Sequence, residues 1–202
     1  MTTPEPLVGN TYDKYGTKNP FARWLMRGFL SSVTQLARQT RPSRLLEVGC
    51  GEGHLVAHLT ENLPNLTRVA ACDLSLEKLA TSLPSNIDFR RGSAYELPYP
   101  DRAFDLVVCC EVLEHLDEPA RAMAELRRVT SRYLLVSTPR EPLWRVLNLL
   151  RLAYLRELGN TPGHVGHFSA RSLVQLLETG MDVREIALPV PWVVALTERR
   201  DA

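Results

Sequence analysis

Three glycines at alternate positions follow an acidic residue in Glu47-Val-Gly49-Cys-Gly51-Glu-Gly53-His. Glycines so spaced let a chain turn tightly and bring its backbone against a ligand. The dinucleotide fingerprint would place its third glycine at position 54, where this chain has His54. A pyrophosphate cradle is therefore not expected. Asp73 stands 20 residues beyond Gly53, at the end of the next apolar run, where a carboxylate can accept both hydroxyl protons of a ribose. The chemistry of the ligand is thus that of a nucleoside without a pyrophosphate. A second group of residues carries acid–base potential: Glu111, Glu114 and His115 in Cys110-Glu-Val-Leu-Glu-His, and His164 and His167 in the turn-rich Gly159-Asn-Thr-Pro-Gly-His-Val-Gly-His-Phe-Ser. Imidazoles titrate near neutrality, so His115, His164 and His167 are the candidates for a general base.

The elements that must hold these groups read as alternating strands and helices. Four runs, Arg44 to Val48, Arg68 to Cys72, Asp105 to Cys110 and Tyr133 to Ser137, are apolar without clean alternation, the pattern of strands buried on both faces in a parallel sheet. Helical spacing fills His54 to Leu63 before Pro64, Ser75 to Leu83 before Pro84, and about Glu118 to Val129, with Ser75 and Asp117 placed to cap two helix starts. The expectation is an open α/β sheet with right-handed crossovers and a ligand crevice at the carboxyl ends of its strands. Pro20 to Gln39 is amphipathic through Phe21, Trp24, Leu25, Phe29, Val33 and Leu36, a candidate lid helix. Pro139 to Phe168 is too long for a plain connection and is expected to be a substrate-side insertion. A helix over Ser169 to Thr179, capped by Ser169, precedes two strands, about Asp182 to Leu188 and Val193 to Thr197, which Pro189-Val-Pro joins as an antiparallel pair. The division is one domain: lid helices over 1–40, a ligand-binding core over 41–138, the insertion over 139–168, and a terminal helix and strand pair over 169–202.

Composition excludes several classes. With 202 residues, 45% of them apolar, and 24 basic against 23 acidic residues, the chain is an ordinary globule with no charge excess to attract nucleic acid. The cysteines Cys50, Cys72, Cys109 and Cys110 sit in or beside the strand-like runs with no Cys-x-x-Cys pair, so they are expected to be buried thiols in a reducing compartment. Met1-Thr-Thr-Pro-Glu-Pro has neither the basic stretch nor the apolar run of a signal peptide, and the expected location is cytoplasmic. Pro142 to Leu158 is too short and too charged to span a bilayer. Its Arg145, Arg151 and Arg156, with Arg140 and Trp144, suit either a solvated basic face or contact with an anionic group or lipid surface. The expected partner is a small molecule, and oligomeric state is left open.

The stretches LLEVGCGEGHL, ACDLS, GSAYELPYPDRAFDLVVCCEVLEHL and YLLVSTP, spanning about Leu45 to Thr138, resemble the small-molecule type of class I S-adenosylmethionine-dependent methyltransferases. The resemblance implies a Rossmann-like, seven-stranded, mostly parallel sheet with a reversed last strand and helices on both faces. It also implies S-adenosylmethionine as cofactor and S-adenosylhomocysteine as product. Glu47, Gly49, Cys50, Gly51, Gly53 and Glu111 would then surround the methionine part, Asp73 would hold the ribose, and Leu74 would flank the adenine. Relatives carry Gly-Asp-Ala where this chain has Gly92-Ser93-Ala94. Ser93 and the Ala94 backbone would meet the adenine amino group without charge assistance, which implies a weaker hold. Tyr12 and Tyr15 are placed to close over the sulfonium.

Methyl transfer is an in-line displacement that chiefly needs the acceptor held at attacking distance in a dry pocket. Oxygen is the expected acceptor, as a phenol or quinol, a sugar or a lipid-linked hydroxyl, because imidazoles are at hand and no nitrogen-specific motif is present. Transfer to carbon or nitrogen, and a binding-only partner subunit, stand as alternatives. Glu111, Glu114 and His115 also resemble the E-x-x-E-H divalent-metal site of ubiquinone-type and small-RNA 2′-O-methyltransferases, with His164 in the place of a further ligand. Such a set can bind magnesium or manganese and polarise a hydroxyl. The same string occurs in relatives without metal, and the expectation is a site that works without one.

Overall fold

Leu45 and Leu46 are neighbours on one strand and both have no exposed surface, yet they join different apolar clusters. Leu45 lies with Met26, Phe29 and Leu59, and Leu46 with Val107, Leu126 and Leu173. Successive strand residues point to opposite faces, so a strand covered on both sides has no polar alternation to show. The computed structural model describes residues 16–150 and 154–201; Tyr12, Tyr15 and Arg151 lie outside the described residues. Strands β1 (Arg44–Val48), β2 (Arg68–Asp73), β3 (Ile87–Arg91), β4 (Phe104–Cys110), β5 (Thr130–Pro139), β6 (Met181–Ala187) and β7 (Trp192–Arg199) form one sheet in the order β3-β2-β1-β4-β5-β7-β6. The pairs β1·β2, β2·β3, β1·β4 and β4·β5 are parallel, and β7 runs antiparallel to both β5 and β6. The last strand is therefore the reversed one, as expected.

Helices α1 (Pro20–Thr40) and α2 (His54–Asn62) cover one face, and α3 (Pro119–Val129) and α5 (Ala170–Leu177) the other. The Asn19 side chain caps α1 by accepting from the amides of Phe21 and Ala22, and Ser169 caps α5 in a reciprocal box with Ser172. From Met26 to Ala37, α1 is a core helix, and only its first turns project beyond the sheet. The insertion folds into α4 (Leu143–Leu150) and a run of turns. Strand order reverses between β1 and β4, so the loops after these two strands open into a shared crevice.

Three expectations are corrected. Ser75 to Leu83 is not helical: Asp73 accepts from the Ser75 amide, Ser75 Oγ from the Glu77 amide, and Glu52 O from the Ala80 amide. Those side-chain turns compete with helical pairing, and the last bond ties the segment to the glycine loop. The start of α3 is set by Glu118 and Pro119, with no side-chain cap from Asp117. Strand β3 was not among the expected runs, because at the sheet edge it buries only Ile87 and reads as a polar segment.

One carboxylate fastens the base of the sheet. Asp105 at the start of β4 accepts from the amides of Ser43 and Arg44 at 3.1 and 3.0 Å, from Arg44 Nε at 3.0 Å, and from Ser131 Oγ on β5 at 3.3 Å. Burial pushes its pKa up, but the Arg44 and Ser43 hydrogen bonds outweigh it and hold the carboxyl at about 2.

Candidate functional site

The glycine loop follows β1 with Gly49, Gly51 and Gly53 all at positive φ. A Cβ on Gly49 would collide with the Val112 side chain, whereas one on Gly51 would meet nothing within 4 Å. Gly49 therefore permits close packing of two loops, and Gly51 leaves open space where a ligand can touch backbone. Asp73 Oδ2 accepts from the Gly51 amide at 2.8 Å, so the carboxylate at the end of β2 braces the loop after β1. Gly53 begins α2 without a side-chain cap, leaving the helix's first amides directed outward as a weakly positive end.

Glu47 lies beneath this loop. It is 3% exposed, and its Oε2 has no hydrogen-bond partner in the structure. Burial outweighs a backbone hydrogen bond from Val56 and, with the Asp73 charge adding, holds its carboxyl well above the ordinary range. A buried acceptor of this kind costs free energy until a donor arrives. Glu111, directly after β4, takes the left-handed conformation with φ of 59°. Its carboxylate accepts from Trp192 Nε1 at 2.7 Å and from Ser137 Oγ at 3.3 Å. That strained turn directs the end of β4 toward the crevice.

A cavity of about 940 Å³ occupies this crevice, at the upper end of the roughly 300–1,000 Å³ usual for small-molecule sites. Glu47, Gly49, Cys50, Gly51, Asp73, Leu74, Ser93, Ala94 and Glu111 all line it. Gly53 does not, and acts by shaping the turn. Ser93 Oγ accepts from the Tyr95 amide at 3.2 Å, which orients that hydroxyl. Burial pushes all four thiols up, Cys72 to about 12 and Cys50, Cys109 and Cys110 further, so they stay protonated and poorly nucleophilic.

The other end of the cavity is aromatic. Ring contacts run from Phe29 to Trp192 at 4.9 Å, to Trp144 at 5.9 Å, to His164 at 6.1 Å and to His115 at 4.9 Å. Trp144 Nε1 donates to Thr161 Oγ1 at 2.9 Å, and buried Asn148 donates to Gly159 O and Thr161 Oγ1. These bonds clip α4 to the turns of the insertion. His115 sits on a short 3₁₀ turn at Leu113–His115, and its Nδ1 is 2.9 Å from Gly163 O. A carbonyl only accepts, so Nδ1 carries a proton.

The structure brings His115 and His164 together on the cavity wall and leaves His167 outside it. His167 Nε2 lies 3.0 Å from Asn160 Oδ1 and 3.3 Å from Arg145 Nη2, a position within the insertion. Donor atoms of Glu114, His115 and His164 lie within 4.8 Å of one another. Glu111 is not part of that group, since its carboxylate is engaged by Trp192 and Ser137. Sequence reasoning missed Trp192, Asn148, Thr161 and Met26. In sequence they are ordinary apolar-run or turn residues, and only the pairing of β7 with β5, the fold of the insertion and the packing of α1 bring them to the cavity.

The residues present suit S-adenosylmethionine. Glu47 offers a buried acceptor for an ammonium group, Gly51 an open backbone edge, and Asp73 a carboxylate for a ribose. Comparison with known proteins agrees. A methyltransferase-domain family model matches residues 46–133. A Mycolicibacterium smegmatis protein named as a probable S-adenosylmethionine-dependent methyltransferase is 32% identical over 157 residues, covering 75% of this chain and 56% of its own length. The demethylmenaquinone methyltransferase of Deinococcus radiodurans is 31% identical over 109 residues, covering 51% of this chain and 45% of its own. The chain thus spans about half the length of these curated relatives. The crystal structure of a SAM-dependent methyltransferase from Aquifex aeolicus superposes with a TM-score of 0.68 at 19% identity, over 90% of this chain and 94% of that one. With the glycine loop, Asp73 and the reversed last strand all in place, residues 46–133 match a methyltransferase domain, and the chain is similar in sequence and fold to S-adenosylmethionine-dependent methyltransferases.

Proposed function

We propose that the protein methylates a hydroxyl oxygen of an apolar, flat small molecule of the phenol or quinol class. The observation that supports this reading best is His115, which lines the cavity together with Trp144, Trp192 and Phe29 and whose Nδ1 is held by the Gly163 carbonyl. Bound S-adenosylmethionine supplies an electrophilic methyl group. The glycine loop, Glu47 and Asp73 hold its amino-acid and ribose parts, and the aromatic wall receives the acceptor ring and excludes water. His115 Nε2 takes the hydroxyl proton as the oxygen attacks, and the Gly163 carbonyl steadies the imidazolium through Nδ1. The Deinococcus relative is named for demethylmenaquinone, which supports a flat ring as acceptor and not the choice of oxygen.

The test is transfer of labelled methyl to a panel of phenols, hydroquinones and sugars, with the product's methylated atom identified. Replacing His115 by Ala is expected to lower kcat about 10²–10⁴-fold with S-adenosylhomocysteine affinity unchanged. Methyl on carbon or nitrogen would replace the oxygen assignment. Cofactor binding without turnover on any acceptor would favour the non-catalytic partner reading.

A further inference from the structure

The cavity opens through a collar that is both apolar and cationic. Phe21 is 58% exposed, Leu150 75% and Val165 55%, and all three also line the cavity. Trp24, 56% exposed, stacks on Phe21 with ring centroids 5.9 Å apart; it lies outside the cavity and extends the apolar surface away from the mouth. Leu149 and Leu155 add further exposed aliphatic area from the insertion. The apolar wall of the site therefore continues outward onto the surface, where an aqueous interior-to-exterior boundary would ordinarily be polar.

Charge distinguishes this collar from the rest of the chain. The first turns of α1 carry Arg23 and Arg27, the helix has no acidic residue, and Lys18 precedes it. Yet the whole chain has a net charge of only +1, so the start of α1 holds an excess of positive charge that the remainder offsets. Arg23 and Arg27 are exposed beside Trp24. Tryptophan and leucine that can sink into the headgroup boundary, alternating with arginines that stay at phosphate level, are the composition of a surface that rests on anionic lipid.

We infer that the cavity mouth docks on an anionic bilayer surface, through Phe21, Trp24 and Leu150 with Arg23 and Arg27, so that an apolar acceptor passes from the lipid into the site. The acceptor's route rests on the function proposed above; the docking itself does not. Among the described residues no helix is long and apolar enough to cross a membrane, and the contact is peripheral.

The experiment is co-sedimentation of the full chain with vesicles of phosphatidylcholine alone and of phosphatidylcholine with phosphatidylglycerol, without any methyl acceptor. Binding is expected only to the anionic vesicles and to weaken as salt is added. Trp24→Ser, and separately Arg23→Glu with Arg27→Glu, should each lower the partition at least about tenfold. Stabilisation by S-adenosylhomocysteine should be unchanged in both, which shows that they fold. No binding to anionic vesicles, equal binding to neutral ones, or variants that bind like the parent would overturn the inference. A dimer in sedimentation velocity that Trp24→Ser disperses would assign the collar to a second copy and overturn it as well. Vesicle binding that survives a failure to find turnover would leave docking standing and defeat the catalytic reading alone.

Discussion

At the scale of single residues, Glu47 is the group whose state most depends on the ligand. Burial raises its carboxyl well above the ordinary range, so the folded chain holds that proton more tightly than the unfolded chain does. Between the ordinary carboxylate range and the raised value the unfolded state therefore binds fewer protons, and stability falls as pH rises through that window. Glu47→Gln removes this slope, and its unliganded melting temperature at neutral pH is expected to equal or exceed that of the parent. The same change should weaken S-adenosylmethionine by about tenfold or more, because an ammonium loses a charge-assisted acceptor worth roughly 1.5–3 kcal/mol. Titration calorimetry in buffers of different ionisation enthalpy supplies the second check: the parent should release protons on binding as Glu47 ionises, and the Gln variant should not. A variant that binds the cofactor as well as the parent would remove Glu47 from the site.

At the scale of elements, two devices position the chemistry, and they differ in how visible they are in sequence. Asp105 gathers the starts of β1, β4 and β5 and so sets the stagger of the strands whose far ends carry the glycine loop and Glu111. Its carboxyl is held at about 2, below the unfolded value of about 3.9. Its stabilisation is thus complete above pH of about 4 and is lost as pH falls toward 2. Urea unfolding followed across this range should show Asp105→Asn to be less stable by about 1–3 kcal/mol at neutral pH, with a shallower acid decline. The second device is the clip of Asn148 and Trp144 onto Thr161. Asn148→Ala leaves the Gly159 carbonyl without that donor and loosens α4, which bears on the acceptor's half of the cavity alone. The expected result is a fall of about 10–100-fold in kcat/KM for the acceptor, from misplacement of the reacting atoms, with cofactor affinity retained. Equal losses for cofactor and acceptor would show that α4 supports both. Strands β1, β2, β4 and β5 were readable because burial on two faces leaves a continuous apolar run. The segment at Ser75 was misread because helical spacing says nothing of the Ala80 amide's bond to Glu52 O, a tertiary contact that overrides local preference.

At the scale of the whole molecule, legibility divides along the sheet. The cofactor's half depends on a loop and a strand end close in sequence, Glu47 to Gly53 and Asp73, and local spacing was enough to place it. The acceptor's half draws Phe29, His115, Trp144, His164 and Trp192 from four separate regions, and no local pattern can report that they meet. His167, three residues beyond His164, has the same local character and faces Asn160 instead. This division also predicts how the molecule answers ligands. A compound that binds only the folded state at about 100 times its Kd adds about 2.7 kcal/mol of stability, which for a chain of this size raises the melting temperature by about 5–10 °C. S-adenosylhomocysteine should produce that shift, whereas a nicotinamide dinucleotide should produce none, since His54 replaces the glycine a pyrophosphate would need. Hydrogen exchange should locate the gain: protection is expected to rise at Gly49 to Gly53 and at Asp73 to Ser75, with β6 and β7 little changed at the far edge of the sheet. Because the acceptor wall spans α1, the 3₁₀ turn, the insertion and β7, a bound acceptor analogue should by contrast spread protection across all four. Protection confined to the insertion would mean that the aromatic chain from Phe29 to His115 does not close around the ligand as one surface.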